Sequence, residues 1–394
     1  MTTTLCRSAL TPLTNIVTLL PALALSLLCN VATAQTGAAT ATDQSAPGVA
    51  ILVPTSNTRG GFLGRIEVRN FIAEMNSRLG IPTSELELAL GSVTAIPQVI
   101  DLIKPPANPG IRSWQRYRGR FLDHARIEGG RRFLADNATT LKAAEEQFGV
   151  PKEIIVSIIG VETVYGRNTG NFNTVAALAT LAFDYPPRAD LFRRELESLF
   201  LLAHERDVNA LDFKGSYAGA IGLPQFLPSS VRAFAVDFDH DGVIDLRNSP
   251  ADAIGSVASY LAQNGWRKGG RVTLRADVKP GADVSTLLAA GLLPSFSPAA
   301  LSQAGVSSGA GNQTAEETAA LIDLVTPGEA TEYWLGLQNF YVITRYNRSS
   351  FYAMAVNDLA EALKGLPEST GTGGNKKHER TVRKPHARVV HPRP

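Results

Sequence analysis

A glutamate, a glycine-rich loop and a run of aspartates fall within about a hundred residues of one another, and each carries residue types suited to chemistry. The stretch 151–166, PKEIIVSIIGVETVYG, predicts a helix in which Ile154, Ile155, Ile158, Ile159 and Val161 form an apolar ridge. Glu162 follows Ile158 by four residues and Ile159 by three, so its side chain leans back over that ridge. A carboxylate in that setting loses hydration, which favours the neutral acid. It also stands near the helix C-terminus, where the macrodipole disfavours negative charge. A raised pKa of this kind suits a general acid working near neutral pH. The alternative is an ion pair with an arginine such as Arg167, which would make Glu162 structural.

The second stretch, 214–230, reads KGSYAGAIGLPQFLPSS, with Gly215, Gly219 and Gly222 around Ser216 and Gln225. Such spacing lets backbone approach a ligand closely or turn tightly. It is not a phosphate loop, because no Lys-Ser/Thr pair follows at the required place. The alternative is a hairpin followed by a helix capped at Ser229 or Ser230. In the third stretch, 237–252 (DFDHDGVIDLRNSPAD), Asp237, Asp239 and Asp241 stand at positions 1, 3 and 5, Gly242 at 6, Ile244 at 8 and Asp245 at 9. This matches the start of an EF-hand loop that wraps Ca2+ in hard oxygen ligands, with the Val243 carbonyl among them. Position 12 holds Asn248 instead of the usual glutamate, so closure falls to Asp252, at the head of a helix expected over 252–264. The alternative is an Asp-rich turn without metal, although carboxylates this dense repel one another without a cation.

These groups need a scaffold, and 394 residues with 44% hydrophobic and 19% charged composition suffice for a real core. Net charge is +2, but residues 375–394 hold seven Lys/Arg against one Glu, which leaves the body acidic. Nucleic acid is therefore not an expected partner. Cys6 and Cys29 both lie in the first 34 residues, so a product lacking that segment has no disulfide and no thiolate chemistry. Arg7, the apolar run 16–29 and Ala32-Thr33-Ala34 read as an export signal cut between Ala34 and Gln35. That run is too short to span a bilayer comfortably, and Leu27 and Leu28 argue against acylation of Cys29. The expectation is a periplasmic monomer without stable membrane insertion.

The elements expected to position the motifs are mostly helical, in an α+β fold. Residues 35–48 read as a disordered linker. Over 62–79, Phe62, Ile66, Val68, Phe71, Ile72, Met75 and Leu79 recur about one helical turn apart, opening a mainly helical domain over 49–148. The core follows over 149–270. Val272-Thr273-Leu274 and dense Gly, Ala, Ser and Pro mark a small β-containing insert over 271–330. Helix formers return over 331–366, and 367–394 is a disordered basic tail.

Taken together, GVETVYGRN, GSYAGAIGLPQFLPSS, the aspartate loop followed by DAIGSVASYL, and NFYVITRYNRSSFYAMAV resemble the lytic murein transglycosylase B family over roughly residues 50–365. The resemblance implies a lysozyme-like core with a helical domain, a small β domain and an EF-hand-like calcium loop. It also implies cleavage of the β-1,4 bond between N-acetylmuramic acid and N-acetylglucosamine in peptidoglycan glycan strands, leaving a 1,6-anhydromuramic end. Glu162 matches the family's single acid/base. Ser216 and Gln225 match polar groups beside it, and Tyr346, Asn347 and Tyr352 match a cluster on the opposite side. Tyr260 and Tyr117 match aromatic walls for sugar rings, and Arg188 is placed to meet a peptide or lactyl carboxylate. The chain departs from the family at Pro187 and Leu191, and its calcium loop is one residue longer. Other cell-wall enzymes would be further partners. The alternatives are a lysozyme-type muramidase with a second carboxylate and a non-catalytic wall-binding protein.

Overall fold

A computed structural model describes residues 61–105, 110–308 and 317–365. The export signal, the linker and the basic tail lie outside these residues.

The helix Lys152–Thr163 forms the centre of the fold. Every residue from Ile154 to Val161 is buried, and a helix apolar on all sides must be surrounded. It is packed against Ser350–Lys364, His124–Asp136, Pro250–Gln263 and Ala138–Phe148. Late residues thus return to cover the helix that carries Glu162. A second layer pairs Thr174–Asp184 with Ala189–Glu205. The N-terminal helices Thr83–Gly91 and Pro97–Ile103 lean on Thr174–Asp184. The first long helix, Ile66–Leu79, starts four residues after its expected start and buries Val68, Phe71, Ile72 and Met75 as its periodicity predicts, whereas Ile66, at its first position, is exposed.

The small β unit is an antiparallel sheet in the order Val306–Ser308, Thr273–Val278, Glu332–Gly336, Ala320–Leu324. Leu321 points into a satellite core with Leu335, Ala276 and Leu301, whereas Ala320, Ile322 and Leu324 face the main core. The sheet runs past the boundary expected at 330. Trp334 lies between Arg275 and Ile322 of the flanking strands, so Glu332–Gly336 is an inner strand of the insert and not the start of the returning helices. The helix after the aspartate loop starts at Pro250, two residues before its expected start, with Ser249 Oγ accepting from the Asp252 N–H. The earlier helix, Pro228–Phe234, has no side-chain cap. Ser229 donates instead to the buried Glu195, at 2.8 Å.

Candidate active site

Glu162 sits in the last turn of the central helix, which stops abruptly because Val164 and Tyr165 both adopt left-handed backbone (φ 51° and 57°). Two consecutive non-glycine residues in that region are strained and persist only where their surroundings hold them. Tyr165 supplies the hold. Its hydroxyl donates to the Arg126 carbonyl at 2.7 Å, and its ring fills a slot floored by Gly129, Gly130 and Gly160. Arg126 Nε donates in turn to the Gly160 carbonyl at 3.1 Å. The glutamate is thereby presented at the bottom of a cleft of about 790 Å³.

Phe121, the strip Gly166–Phe172, Ser216, Tyr217 and Gln225 line this cleft, together with Arg120, Arg126, Arg167 and Arg247. Among the described residues Glu162 is the only acid in the lining. The dense surroundings strip it of water and push its pKa up to about 7, opposed by a hydrogen bond from Tyr352 Oη to Glu162 Oε1 at 2.6 Å. No ion pair joins Glu162 to Arg167 among the described residues. The central helix is held by apolar packing, which leaves the carboxyl free of a structural partner charge.

Ser216 and Gln225 reach the cleft as expected. Ser216 Oγ accepts from the Ala220 N–H at 3.1 Å, which leaves its own hydroxyl hydrogen for a ligand. Gln225, in left-handed backbone, donates to the Thr169 and Gly222 carbonyls and clamps the strip that follows Glu162. Behind Tyr352 the aromatic rings continue inward: Tyr346 stacks on it at 6.4 Å, and Tyr260 meets Tyr346 edge-on at 4.8 Å. Tyr346 donates to the Pro224 carbonyl and Tyr260 to the Arg345 carbonyl.

Tyr260 therefore differs from the expectation of a sugar-facing wall. It is buried, its hydroxyl is used by backbone, and its ring packs against Phe226, Phe234 and Tyr346. Tyr117 is likewise buried, against Trp114, Phe121 and Phe351, and it is Phe121 that reaches the lining. Asn347 and Arg188 lie outside the lining, yet Asn347 Nδ2 and Arg188 Nη2 are inaccessible and have no hydrogen-bond partner among the described residues. Burial lowers the Arg188 pKa, and its guanidinium lies over the Phe192 ring at 5.5 Å. Arg126 and Arg247 carry no sequence signal for their places at the cleft, whereas Tyr165 stands inside the VETVYG motif.

In the aspartate loop, carboxylate oxygens of Asp237, Asp239 and Asp252 come within 4.8 Å of one another. Asp241 is not in that cluster; its Oδ1 accepts from the Val243 N–H at 2.8 Å in a local turn. Val243 itself is exposed. Asp252 is buried and accepts from the Phe238 and Asp245 N–H groups. Desolvation raises its pKa, the two backbone donors lower it, and the charges of Asp239 and Asp237 raise it again. Three carboxylates sharing one small space, with no Lys or Arg within ion-pair distance among the described residues, form a hard-oxygen donor set that fits a divalent cation such as Ca2+.

Residues 65–361 match the family model described as the transglycosylase SLT domain. The chain is 38% identical over 368 residues to the membrane-bound lytic murein transglycosylase B of Escherichia coli (strain K12), spanning 88% of this chain and 97% of that protein. The crystal structure of the soluble lytic transglycosylase SltB1 from Pseudomonas aeruginosa is similar to it, with a TM-score of 0.71 and 44% identity over 76% of this chain and all of that one. So is the Escherichia coli lytic transglycosylase Slt35 in complex with calcium, with a TM-score of 0.68 and 38% identity over 77% of this chain and 95% of that one.

Proposed function

The chain belongs to the transglycosylase SLT domain family and is a lytic murein transglycosylase that cleaves peptidoglycan without hydrolysis; from that premise we propose that Glu162 alone serves as acid and then as base. One observation carries this reading: Glu162 is the only carboxyl among the described residues lining the cleft. Hydrolytic glycosidases that use protein carboxylates need two, at about 5–5.5 Å for retention or about 6.5–9.5 Å for inversion. A reaction closed by the substrate's own hydroxyl needs one.

In the first half, the neutral Glu162 gives its proton to the oxygen leaving C1 of the muramic acid, between it and N-acetylglucosamine, as that C–O bond breaks. The positive charge developing at C1 is met by the substrate's 2-acetamido oxygen, which the free hydroxyl hydrogen of Ser216 orients. In the second half, the muramoyl C6 oxygen bonds to C1 and Glu162, now ionised, takes the C6 hydroxyl proton. The acid is restored, no water is consumed, and the product carries the anhydro end. A pKa of about 7 suits both roles, since donation and acceptance then cost similar amounts near neutrality.

We further read the Asp237, Asp239 and Asp252 cluster as a structural calcium site in an EF-hand-like loop, which the calcium complex of the relative supports. The ion would join the loop to the head of Pro250–Gln263. The site of action is the cell wall, reached through export directed by residues 1–34. No helix among the described residues is long and apolar enough to cross a membrane.

The test is Glu162→Gln, which keeps the volume and an acceptor for Tyr352. It should bind glycan and lose about a thousandfold in rate, because both proton transfers go at once. Activity within tenfold of wild type would remove Glu162 from the reaction.

A further inference from the structure

The aspartate loop reaches the cleft lining through one residue, Arg247. Its backbone N–H donates to Asp245 Oδ1 at 2.9 Å, which keeps its main chain within the loop. Its guanidinium leaves the loop altogether. Nη1 donates to the Gly170 carbonyl at 2.9 Å, and Nη2 donates to Asn171 Oδ1 at 2.8 Å. Gly170 and Asn171 belong to the strip that lines the cleft after Glu162. Gln225 grips the same strip, through the Thr169 carbonyl at 3.2 Å. Gly170 is in left-handed backbone, and a Cβ there would fall 2.2 Å from the Gly215 carbonyl oxygen, so the strip has no room to shift toward that side.

Arg247 pairs with no carboxylate among the described residues, so its charge is spent entirely on positioning backbone and amide acceptors. The rigid guanidinium fork suits this use, since it meets two acceptors at once. The contacts form a continuous series. Asp252 Oδ2 accepts from the Asp245 N–H at 2.7 Å, Asp245 Oδ1 accepts from the Arg247 N–H, and Arg247 holds the lip. Asp252 is also a member of the carboxylate cluster, where Asp237 and Asp239 repel it unless a cation stands between them.

We propose that Arg247 is a positioning residue that couples order in the cation loop to the cleft lip at Thr169–Asn171, so that calcium tightens glycan binding as well as the fold. The proposal rests on the calcium reading above. Its effect should be modest, about fivefold to tenfold in affinity, the lower part of the range for coupling between two sites.

The experiment measures binding of soluble glycan oligomers prepared from peptidoglycan to Glu162→Gln, which does not consume them, by calorimetry in calcium and in chelator, with thermal melting in parallel. The same pair of measurements follows for Glu162→Gln with Arg247→Gln, and with Arg247→Lys, which retains the charge but not the fork. Expected is a fivefold to tenfold tightening by calcium when Arg247 is present and none with Arg247→Gln, while calcium raises Tm by the same amount in both. Arg247→Lys should recover only part of the tightening. Equal tightening with and without Arg247 would overturn the coupling, as would a glycan Kd that calcium leaves unchanged while raising Tm. If calcium moves neither Tm nor Kd, the cation reading itself fails and the coupling falls with it. In that case Arg247→Gln compared in chelator still decides whether the clamp on the lip matters to glycan.

Discussion

Tyr352 donates its phenolic hydrogen to Glu162 Oε1 at 2.6 Å across 190 residues of sequence, joining the last helix of the described chain to the end of the central one. Burial and the neighbouring Glu162 hold the phenol well above its ordinary pKa, so it remains a donor throughout the working range. This bond favours the ionised glutamate, while desolvation favours the neutral one, and desolvation wins. Tyr352→Phe should therefore raise the Glu162 pKa further and move the alkaline limb of the kcat/KM profile upward. It should also cost about tenfold in kcat through lost orientation. A profile with unmoved limbs would show that the hydrogen bond does not tune the acid.

The wild-type pH profile should bend near the Glu162 pKa. The first proton transfer needs the neutral acid, so kcat/KM should fall about tenfold per pH unit above about 7. Stability follows the same group. The folded pKa is raised, so the folded state binds the proton more tightly than the unfolded chain, and stability is lost as pH rises from about 4.5 through about 7. Glu162→Gln should therefore be more stable than wild type at pH 8, by about 1–3 kcal/mol, and not at pH 4. Denaturant melts at the two pH values check this, and equal differences at both would refute it.

For the cation loop, calcium should raise Tm by binding the native state, with magnesium much weaker because it requires a tighter octahedral shell. The geometry ranks the ligands: Asp239→Asn should remove most of the calcium-dependent shift, and Asp241→Asn much less, since the Asp241 carboxylate lies outside the cluster. Equal losses in the two variants would place Asp241 among the ligands. No shift in wild type between calcium and chelator would reduce the loop to a turn.

Gly222 is where the glycine-rich loop meets the aspartate loop. Its φ is +72°, and a Cβ would stand 2.2 Å from the Leu246 carbonyl oxygen, which accepts from the next residue's N–H at 2.8 Å. Gly222→Ala should cost more than about 2 kcal/mol through strain and collision together. It should also weaken glycan binding in Glu162→Gln, because Gln225 is carried by the same turn. A denaturant midpoint within error of wild type would contradict the packing described.

Much of this was legible in the sequence for physical reasons. The apolar ridge over 154–161 marked a helix with a buried face, and Glu162 stood out as a carboxylate set against it, with an ion pair to Arg167 as the open alternative. Ser216 and Gln225 were readable because glycines at 215, 219 and 222 force backbone close to whatever they face. What was not legible was which polar residues turn inward. Tyr260 and Tyr117 carry the same amphipathic ring as a sugar platform, and only the distant partners, Arg345 for one and Phe351 for the other, place them in the interior. Nothing in the sequence points to Arg247, since its acceptors lie 77 and 76 residues away. The last strand, Glu332–Gly336, was hidden because Tyr333 and Trp334 resemble the start of the aromatic helix that follows.

The central claim, that one glutamate closes the cycle on the substrate's own hydroxyl, is tested most directly by digesting purified peptidoglycan in water enriched in the heavy oxygen isotope and weighing the released muropeptides. The account predicts muramic ends lighter by one water than hydrolysed ends and free of the heavy isotope, formed by wild type and lost with Glu162→Gln. Reducing ends carrying the heavy oxygen would mean that water attacks C1, and would contradict it.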